Sequence, residues 1–312
     1  MAYKIQMLAY YGKLADNKIE VDTIDRTVVL ALRQGAISKP NEDPRRTADE
    51  VYPSPIERVS VSPEIQAKAD EVARNTLFRQ ELLHNIDKIN FDGDVLHITQ
   101  SKVNYGSLVA LRGVAKVFPE EAVQPIMDQI RPMGVIGVLV NEKEQVFYMG
   151  RRSNVLVSGQ WMVYPAGTVG EKSDPKQEIA TEAKEEANMT LGVDGTAYLV
   201  GMARGWYHST DPNFSYAITT DWSLRKLWEN TAKNEHDLVI AVPMDEKGVV
   251  KYLKDEMFGS DANKNVYDKL VDAGIGTLLN VTRLFFGDKW YNETVAELNS
   301  VPGVSITNKQ KL

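Results

Sequence analysis

The chain contains no cysteine among its 312 residues. This absence excludes disulfide bonds, cysteine zinc sites and thiol catalysis, so a bound metal ion would need oxygen or histidine ligands. Long apolar runs are missing too. The longest, residues 135–140 and 238–244, are much shorter than the roughly 20 residues that a membrane-spanning helix requires. We therefore expect no association with a membrane.

A positive net charge is also absent. The chain carries 36 Lys and Arg against 43 Asp and Glu, which gives a formal net charge of −7. This balance disfavours nucleic acid or anionic lipid as the main partner, because such binding depends on cationic side chains. Residues 1–12 contain one lysine and no sustained apolar segment, so they do not resemble a signal peptide. Together these features predict a cytoplasmic protein.

The length of the chain favours two domains of about 150 residues each. Five of the 13 prolines fall between residues 40 and 63, which predicts a linker or an extended surface arm. Apolar spacing predicts helices over residues 62–86 and 120–130. Short strands are predicted at residues 95–99 and 109–111. The first 132 residues are therefore expected to be a mixed α+β region, and they contain no chemical motif.

The pattern changes at Gly134. Two apolar runs on either side of the polar residues 141–144 predict a β-hairpin. Strands are then predicted at residues 198–202, 214–219 and 237–243, and helices at 249–257, 263–273 and 277–286. We therefore divide the chain into an N-terminal region (1–132), a central α/β domain (133–250) and a C-terminal helical extension (251–312).

One helix in the central domain has both ends specified by local sequence. Asp174 suits the N-cap position, Pro175 the first helical position, and Gln177 the third position after the cap. Asn188 suits the left-handed residue that commonly follows a helix. These signals predict a helix over residues 175–187. Its inward residues are expected to be Ile179, Ala180 and Ala183.

Four glutamates at helical spacing form an acidic stripe on this helix: Glu178, Glu182, Glu185 and Glu186. Like charges three or four residues apart repel each other, and the two last glutamates also lie near the negative end of the helix dipole. A hard divalent cation such as Mg²⁺ would offset this repulsion, because it prefers clustered carboxylate oxygens. The stripe therefore indicates a metal site. For an isolated pattern of this kind, a solvated acidic face would be the more common explanation.

The context of the stripe resembles the Nudix box, G-x5-E-x7-R-E-U-x-E-E-x-G-U, where U is an aliphatic residue. Gly167 matches the first glycine, Glu182 the glutamate after the arginine, and Met189 the last aliphatic position. Glu185 and Glu186 match the paired glutamates. The residues that commonly precede the box in this family are also present in order: Arg151, Arg152, Gly159, Trp161 and Pro165.

Three positions depart from the box. Ser173 stands where the first glutamate is expected, with Glu171 and Asp174 close by in the chain. Thr181 stands where the arginine is expected, and threonine cannot make the bidentate clamp that steadies a neighbouring glutamate. Asn188 replaces the glycine, which is a mild change because both residues accept a left-handed conformation.

The resemblance implies a Nudix α/β/α sandwich with a mixed sheet, and Mg²⁺- or Mn²⁺-dependent attack of water on the pyrophosphate of a nucleoside diphosphate linked to another group. It implies that Glu182, Glu186 and the carbonyl of Ala166 are metal ligands. Glu185 is expected to be a further ligand or the general base. In several relatives the base comes from a later loop, so Glu235, with Asp237 as its alternative, competes for this role.

Substrate-binding residues are less well marked. Arg151 and Arg152 could contact phosphate, but adjacent strand residues face opposite sides, so one of them could be a solvated charge. Trp206 and Phe214 could stack on a base, although aromatic strand residues more often belong to the core. The segment 165–167 also occurs in relatives that cleave ADP-sugars, which suggests a nucleotide sugar or an ADP-ribose-like substrate. The expected partner is thus a small-molecule nucleotide, with a homodimer left open and neither nucleic acid nor membrane expected.

A second function class stays open. Ser173 and Thr181 are also the changes expected in a Nudix fold that has lost catalysis and serves as a nucleotide sensor or as a scaffold protein. A sensor would bind a nucleotide without consuming it, whereas a scaffold would bind none.

Overall fold

The structure is a computed structural model that describes residues 3–14, 18–31, 55–75, 82–153, 159–205, 210–257 and 271–308. In chain order the strands are β1 (Tyr3–Leu14), β2 (Ile19–Val29), β3 (Ile56–Arg58), β4 (Leu82–Phe91), β5 (Leu96–Asn104), β6 (Gly134–Asn141), β7 (Val146–Arg152), β8 (Trp161–Met162), β9 (Ala166–Thr168), β10 (Thr196–Gly205), β11 (Asn213–Thr219), β12 (His236–Pro243) and β13 (Val304–Asn308). The α-helices are α1 (Pro63–Asn75), α2 (Tyr105–Ala115), α3 (Glu120–Met127), α4 (Pro175–Ala187), α5 (Leu224–Asn230), α6 (Glu246–Lys251) and α7 (Asp272–Asn299). A π-helical segment, Tyr252–Met257, continues from α6, and α7 is kinked at Gly287, where φ is +83°.

The chain divides into two compact units. Unit 1 contains Met1–Asp16, Gly134–Gly167 and Pro175–Lys311, and unit 2 is built from Asn17–Met133 and Thr168–Asp174. This division differs from the predicted one at both ends. Residues 3–14 belong to unit 1 because β1 is hydrogen-bonded to β10 and to β13, and such long-range pairing leaves no local pattern in the sequence. Residues 271–308 likewise belong to unit 1, and the last five of them form β13.

Unit 1 is organised around a mixed sheet of nine strands in the order β12-β7-β6-β11-β10-β1-β13, with β8 beside β7 and β9 beside β6. The pairs β6 with β11 and β1 with β13 are parallel, while β7 pairs antiparallel with β6 and β12. The strands β6 and β11 are buried along almost their whole length, as expected for strands covered on both faces.

Helices cover both faces of this sheet. On β11, Ile218 lies beside Gly137 together with Ile179 of α4, whereas Ser215 contacts Thr277 and Asn280 of α7. Residues 215 and 218 point to opposite faces, because side chains alternate along a strand. The central part is therefore an α/β sandwich with a mixed sheet, which confirms the fold class predicted from the sequence.

Unit 2 contains a smaller sheet in the order β3-β2-β5-β4, with helices α1 to α3. Gly113 of α2 allows close packing against α1, because a Cβ atom at this position would lie only 2.5 Å from Val72. The seven-residue segment Thr168–Asp174, which connects β9 with α4 along the chain, also belongs to this unit. Its backbone bonds to β4 and to the residue preceding β6, for example from Glu171 N to Leu82 O at 3.2 Å.

Several sequence predictions are confirmed in detail. The helix predicted over residues 175–187 is α4, and Asn188 after it has a left-handed φ of +49°. Ile179 and Ala183 are buried, while Ala180 is partly exposed. The predicted hairpin is the pair β6 and β7, and β10, β11 and β12 include the three strands expected after it.

Other predictions are wrong or lie outside the described residues. The helix predicted over residues 62–86 ends at Asn75, and its last part is β4, which pairs with β5 along its whole length. The strand predicted at 109–111 is part of α2, because a short buried apolar run fits either structure. Residues 40–54 of the predicted arm and 263–270 of a predicted helix are not described. In the part of the chain that is described, no helix combines the length and apolarity needed to cross a membrane.

Candidate functional site

The acidic stripe of α4 runs from the protein interior to the solvent. Glu186 is buried, with 3% of its surface exposed. Glu178 and Glu182 are partly exposed, and Glu185 is exposed. Since the four carboxylates lie on one helix but in different surroundings, their charges are balanced differently.

Glu186 has a partner for each carboxylate oxygen. Arg152 Nη1 of β7 donates to Oε1 at 2.9 Å, and His236 Nε2 of β12 lies 3.1 Å from Oε2. The ring of His236 is completely buried and packs on Tyr164, with 4.4 Å between the ring centroids. The buried charge of Glu186 is therefore paired and hydrogen-bonded, as a buried carboxylate requires.

Arg152 joins two carboxylates. Its Nη2 lies 3.1 Å from Oε2 of Glu235, in the turn before β12, while Nη1 binds Glu186. Only 13% of the Arg152 side chain is exposed. We call this arrangement of Arg152, Glu186 and Glu235 the Arg152 bridge. Arg151, the preceding residue, pairs instead with Asp237 through an exposed ion pair of 2.8 Å.

Gly167 lies directly against Glu182. A Cβ atom at residue 167 would be 1.8 Å from Oε1 of Glu182, so no side chain can occupy this position without moving the carboxylate. The glycine thus lets the backbone at residue 167 approach Glu182 of the acidic stripe closely. This contact gives a steric reason for the first glycine of the box.

Among the described residues, Glu182 has no ion pair of the kind that Arg152 and His236 form with Glu186. The pKa of the Glu182 carboxyl group is raised to about 8. Burial is the largest cause, and repulsion by Glu186, Glu178 and Glu185 adds to it, while Arg152 has a smaller opposite effect. Without an added cation, Glu182 therefore keeps its proton at neutral pH. A divalent cation next to it would favour the ionised form.

The donor set fits a hard divalent cation in its chemistry. Carboxylates and a backbone carbonyl are the ligands that Mg²⁺ and Mn²⁺ prefer. Burial, and after it the neighbouring glutamates, raise the pKa of Glu182, and a cation at this point would oppose both effects. In the ranges described above, no group of three or more His, Asp or Glu side chains is arranged around a common ion position.

The remaining predicted residues differ in their positions. Glu185 is exposed, and Glu235, partly exposed, belongs to the Arg152 bridge. Phe214, predicted as a substrate-binding residue, is completely buried in β11, so its ring presents no accessible face for a base. Trp206 lies outside the described residues. Glu171, close in the chain to the departure at Ser173, lies 3.9 Å from Lys102 within unit 2.

Sequence reasoning did not assign a role to His236. The four histidines show no ligand spacing along the chain, so no local pattern connects His236 with the acidic stripe. The structure places His236 against Glu186 through the antiparallel pairing of β7 and β12, in which residue 236 lies opposite Arg152. The glycine at position 150 is the one trace of this contact in the sequence of β7, because a Cβ atom there would lie 2.4 Å from the His236 ring.

Comparisons with known proteins give low similarity. No protein-family model and no curated protein shows significant similarity to the chain. Among solved structures, one from Deinococcus radiodurans is 15% identical, with a TM-score of 0.32 over 40% of this chain and 73% of that one. A Nudix-family hydrolase from Clostridium perfringens is 15% identical, with a TM-score of 0.31 over 50% of this chain and 97% of that one. A bifunctional NMN adenylyltransferase/ADP ribose pyrophosphatase from Francisella tularensis, in complex with AMP and a Mn ion, is 14% identical, with a TM-score of 0.31 over 47% and 40%.

Proposed function

We propose that the central part of unit 1, residues 134–250, is a Nudix hydrolase domain. Its substrate would be a nucleoside diphosphate linked to another group, and water would attack the pyrophosphate. The observation that carries the proposal is Glu182, a carboxyl group with a pKa raised to about 8, which contacts Gly167 and lies one helical turn from Glu186. A cation-binding role explains why repelling carboxylates are kept together at this position.

Glu182, Glu186 and the carbonyl of Ala166 would hold Mg²⁺ or Mn²⁺. The bound ion would neutralise charge on the diphosphate and lower the pKa of a coordinated water molecule. Glu185 is the better candidate for accepting the proton of the attacking water, since it is exposed and no ion pair to it occurs among the described residues. Glu235 already pairs with Arg152, so proton transfer to it would weaken that ion pair.

The proposed substrates are nucleotide sugars and ADP-ribose-like molecules. The support is the segment Pro165, Ala166 and Gly167, in which Gly167 must be a glycine because of its contact with Glu182. Hydrolysis of such a substrate would release a nucleoside monophosphate and a phosphorylated sugar.

The test is direct incubation with a substrate panel. ADP-ribose, UDP-glucose, GDP-mannose, NAD and dinucleoside polyphosphates are each mixed with the protein and Mg²⁺ or Mn²⁺, and release of monophosphate is measured. Glu186→Gln should reduce turnover by about 100-fold or more, because it removes a proposed metal ligand. Glu229→Gln is the matched control, since Glu229 is an exposed helix residue that pairs only with Arg225 in the described structure. Turnover that is equal in both variants would contradict the proposal.

A nucleotide sensor is the second candidate. It is favoured by one observation, the engagement of both Glu186 oxygens by Arg152 and His236. Calorimetry with ADP-ribose and Mg²⁺, followed by product analysis, separates the two functions. A sensor binds the nucleotide and leaves it intact, whereas a hydrolase releases the monophosphate.

A further inference from the structure

The Arg152 bridge connects the helix that carries the proposed metal ligands with the turn that leads into β12. Glu186 lies on α4, the helix of the acidic stripe, and Glu235 lies in the turn that leads into β12. Arg152 is the last residue of β7, and its side chain forms ion pairs with both glutamates. A single planar guanidinium group therefore fixes the distance between these two carboxylates.

We infer that Arg152 is a positioning residue that holds Glu186 at a fixed place relative to Glu235 and the turn before β12, as the proposed reaction requires. This inference rests on the proposed hydrolase function. Thr181, exposed on α4, has no cationic group with which to steady a neighbouring glutamate. The guanidinium group comes instead from β7, 34 residues earlier in the chain than Glu186.

Burial and contacts favour this role over direct binding of a substrate phosphate. Both terminal nitrogens of Arg152 already face carboxylates, and the side chain is only 13% exposed. A phosphate that contacted these nitrogens would have to displace Glu186, which is itself 3% exposed. Leaving that buried carboxylate without its partner would be strongly unfavourable.

Unit 2 contains a similar arrangement that serves as an internal control. Arg26 Nη1 binds Glu57 at 2.6 Å and Nη2 binds Asp87 at 2.7 Å, and we call this set the Arg26 bridge. In both bridges the arginine Nε is buried without a hydrogen-bond partner among the described residues. An unpartnered Nε thus also occurs in an arginine outside the proposed site, so at Arg152 it is not by itself evidence of a ligand site.

The experiment compares Arg152→Gln, Arg152→Lys and Arg26→Gln in the full chain. Binding of Mn²⁺ alone is measured by calorimetry, and kcat and KM are measured with the best substrate of the panel. Arg152→Gln should weaken Mn²⁺ binding by about tenfold and lower kcat by about 100-fold, while KM changes by less than about threefold. Arg152→Lys keeps the charge but cannot span both carboxylates, so it should restore only part of each loss.

Arg26→Gln should leave kcat and the Kd of Mn²⁺ unchanged at temperatures where it is folded. If Arg152→Gln fails to fold, Arg152→Lys carries the test, with an expected loss of about tenfold in kcat. A raised KM at constant kcat would overturn the inference in favour of a phosphate contact. Unchanged kcat and unchanged Mn²⁺ binding in a folded Arg152 variant would overturn it as well. Failure of the proposed function looks different, because the unmodified protein would then release no monophosphate from any substrate, whether or not it binds Mn²⁺.

Discussion

The Arg152 and Arg26 bridges have the same chemistry in different surroundings. In unit 2, Asp87 Oδ1 accepts hydrogen bonds from Arg26, Asn85 and Ser101, and Glu57 is more than half exposed. In unit 1, the bridged Glu186 is buried one turn from Glu182, whose pKa is raised to about 8. The Arg152 bridge therefore has, one helical turn away, a further carboxyl group whose pKa is raised by burial and by neighbouring glutamates.

This comparison teaches that an arginine bridge by itself does not mark a functional site. What distinguishes unit 1 is the excess of carboxylates around the bridge, since Glu178, Glu182 and Glu185 contribute three more acidic groups on α4. Such an excess costs stability unless a cation arrives, and natural proteins often accept that cost at functional sites. The following predictions separate the two bridges.

The largest effect is expected for the stability of Arg152→Gln. This substitution leaves the buried charge of Glu186 without its arginine, so the free energy of unfolding should fall by about 3 kcal/mol or more. Urea denaturation of the metal-free protein at pH 7 measures the change. A loss below about 1 kcal/mol would show that the Arg152 bridge is no stronger than a surface ion pair.

Metal binding should produce the next effect. Mn²⁺ or Mg²⁺ at a hundredfold excess over Kd should stabilise the folded protein by about 2.7 kcal/mol, because the ion binds only the folded state. The melting temperature near pH 8 should rise accordingly, in the unmodified protein and in Arg26→Gln alike. In Glu182→Gln the rise should be much smaller, and an equal rise would place the ion elsewhere.

Glu182→Gln should stabilise the metal-free protein at high pH. The folded-state pKa of Glu182 is about 8, above the ordinary value of 4.5, so the folded state holds an extra proton between these pH values. The contribution of this proton to the free energy of unfolding is therefore fully present below about pH 4.5 and is lost as the pH rises to 8. The variant lacks this loss and should be more stable by about 2 kcal/mol at pH 8, a figure reduced for the partial exposure of the group.

Unfolding curves at pH 5 and pH 8 test this pH dependence. Glu229→Gln, which removes an exposed helix carboxylate, should show no such gain. A gain for Glu182→Gln that is equal at both pH values would contradict the raised pKa.

The smallest effect is expected for Arg26→Gln. Asp87 keeps its hydrogen bonds from Asn85 and Ser101, and the exposed Glu57 returns to water, so the loss should be about 1 kcal/mol. The same urea titration measures it. A loss as large as that of Arg152→Gln would remove the distinction between the two bridges.

The features that were predictable are those with local signals. Asp174 and Pro175 mark the start of α4, Asn188 marks its end, and the polar turn after β6 marks the hairpin. Each of these signals acts over a few residues, through a cap, a preferred φ or an alternation of apolar side chains. The glutamate spacing of the acidic stripe was readable for the same reason.

The long-range contacts were not predictable from local pattern. The last part of the predicted helix over residues 62–86 became β4, because pairing with β5 satisfies its backbone groups and buries Leu82, Leu83 and Ile86. His236 had no signal that connected it to Glu186, from which it is 50 residues away in the chain.

The sequence by itself determined α4, its acidic stripe and the hairpin that precedes it, because helix caps, turn residues and side-chain periodicity operate between near neighbours. The tertiary structure decided which carboxylates of the stripe have a partner such as Arg152 or His236. Arg152 reaches Glu186 only because β7 and α4 pack in one unit, and His236 reaches it only because β12 pairs with β7. Ion pairing then distinguishes two chemically identical residues: Glu186 is paired with Arg152 and His236, while Glu182, which lies against Gly167, has a pKa of about 8. Charge balance in a protein interior depends on distances between groups that are far apart in the chain, and packing sets those distances.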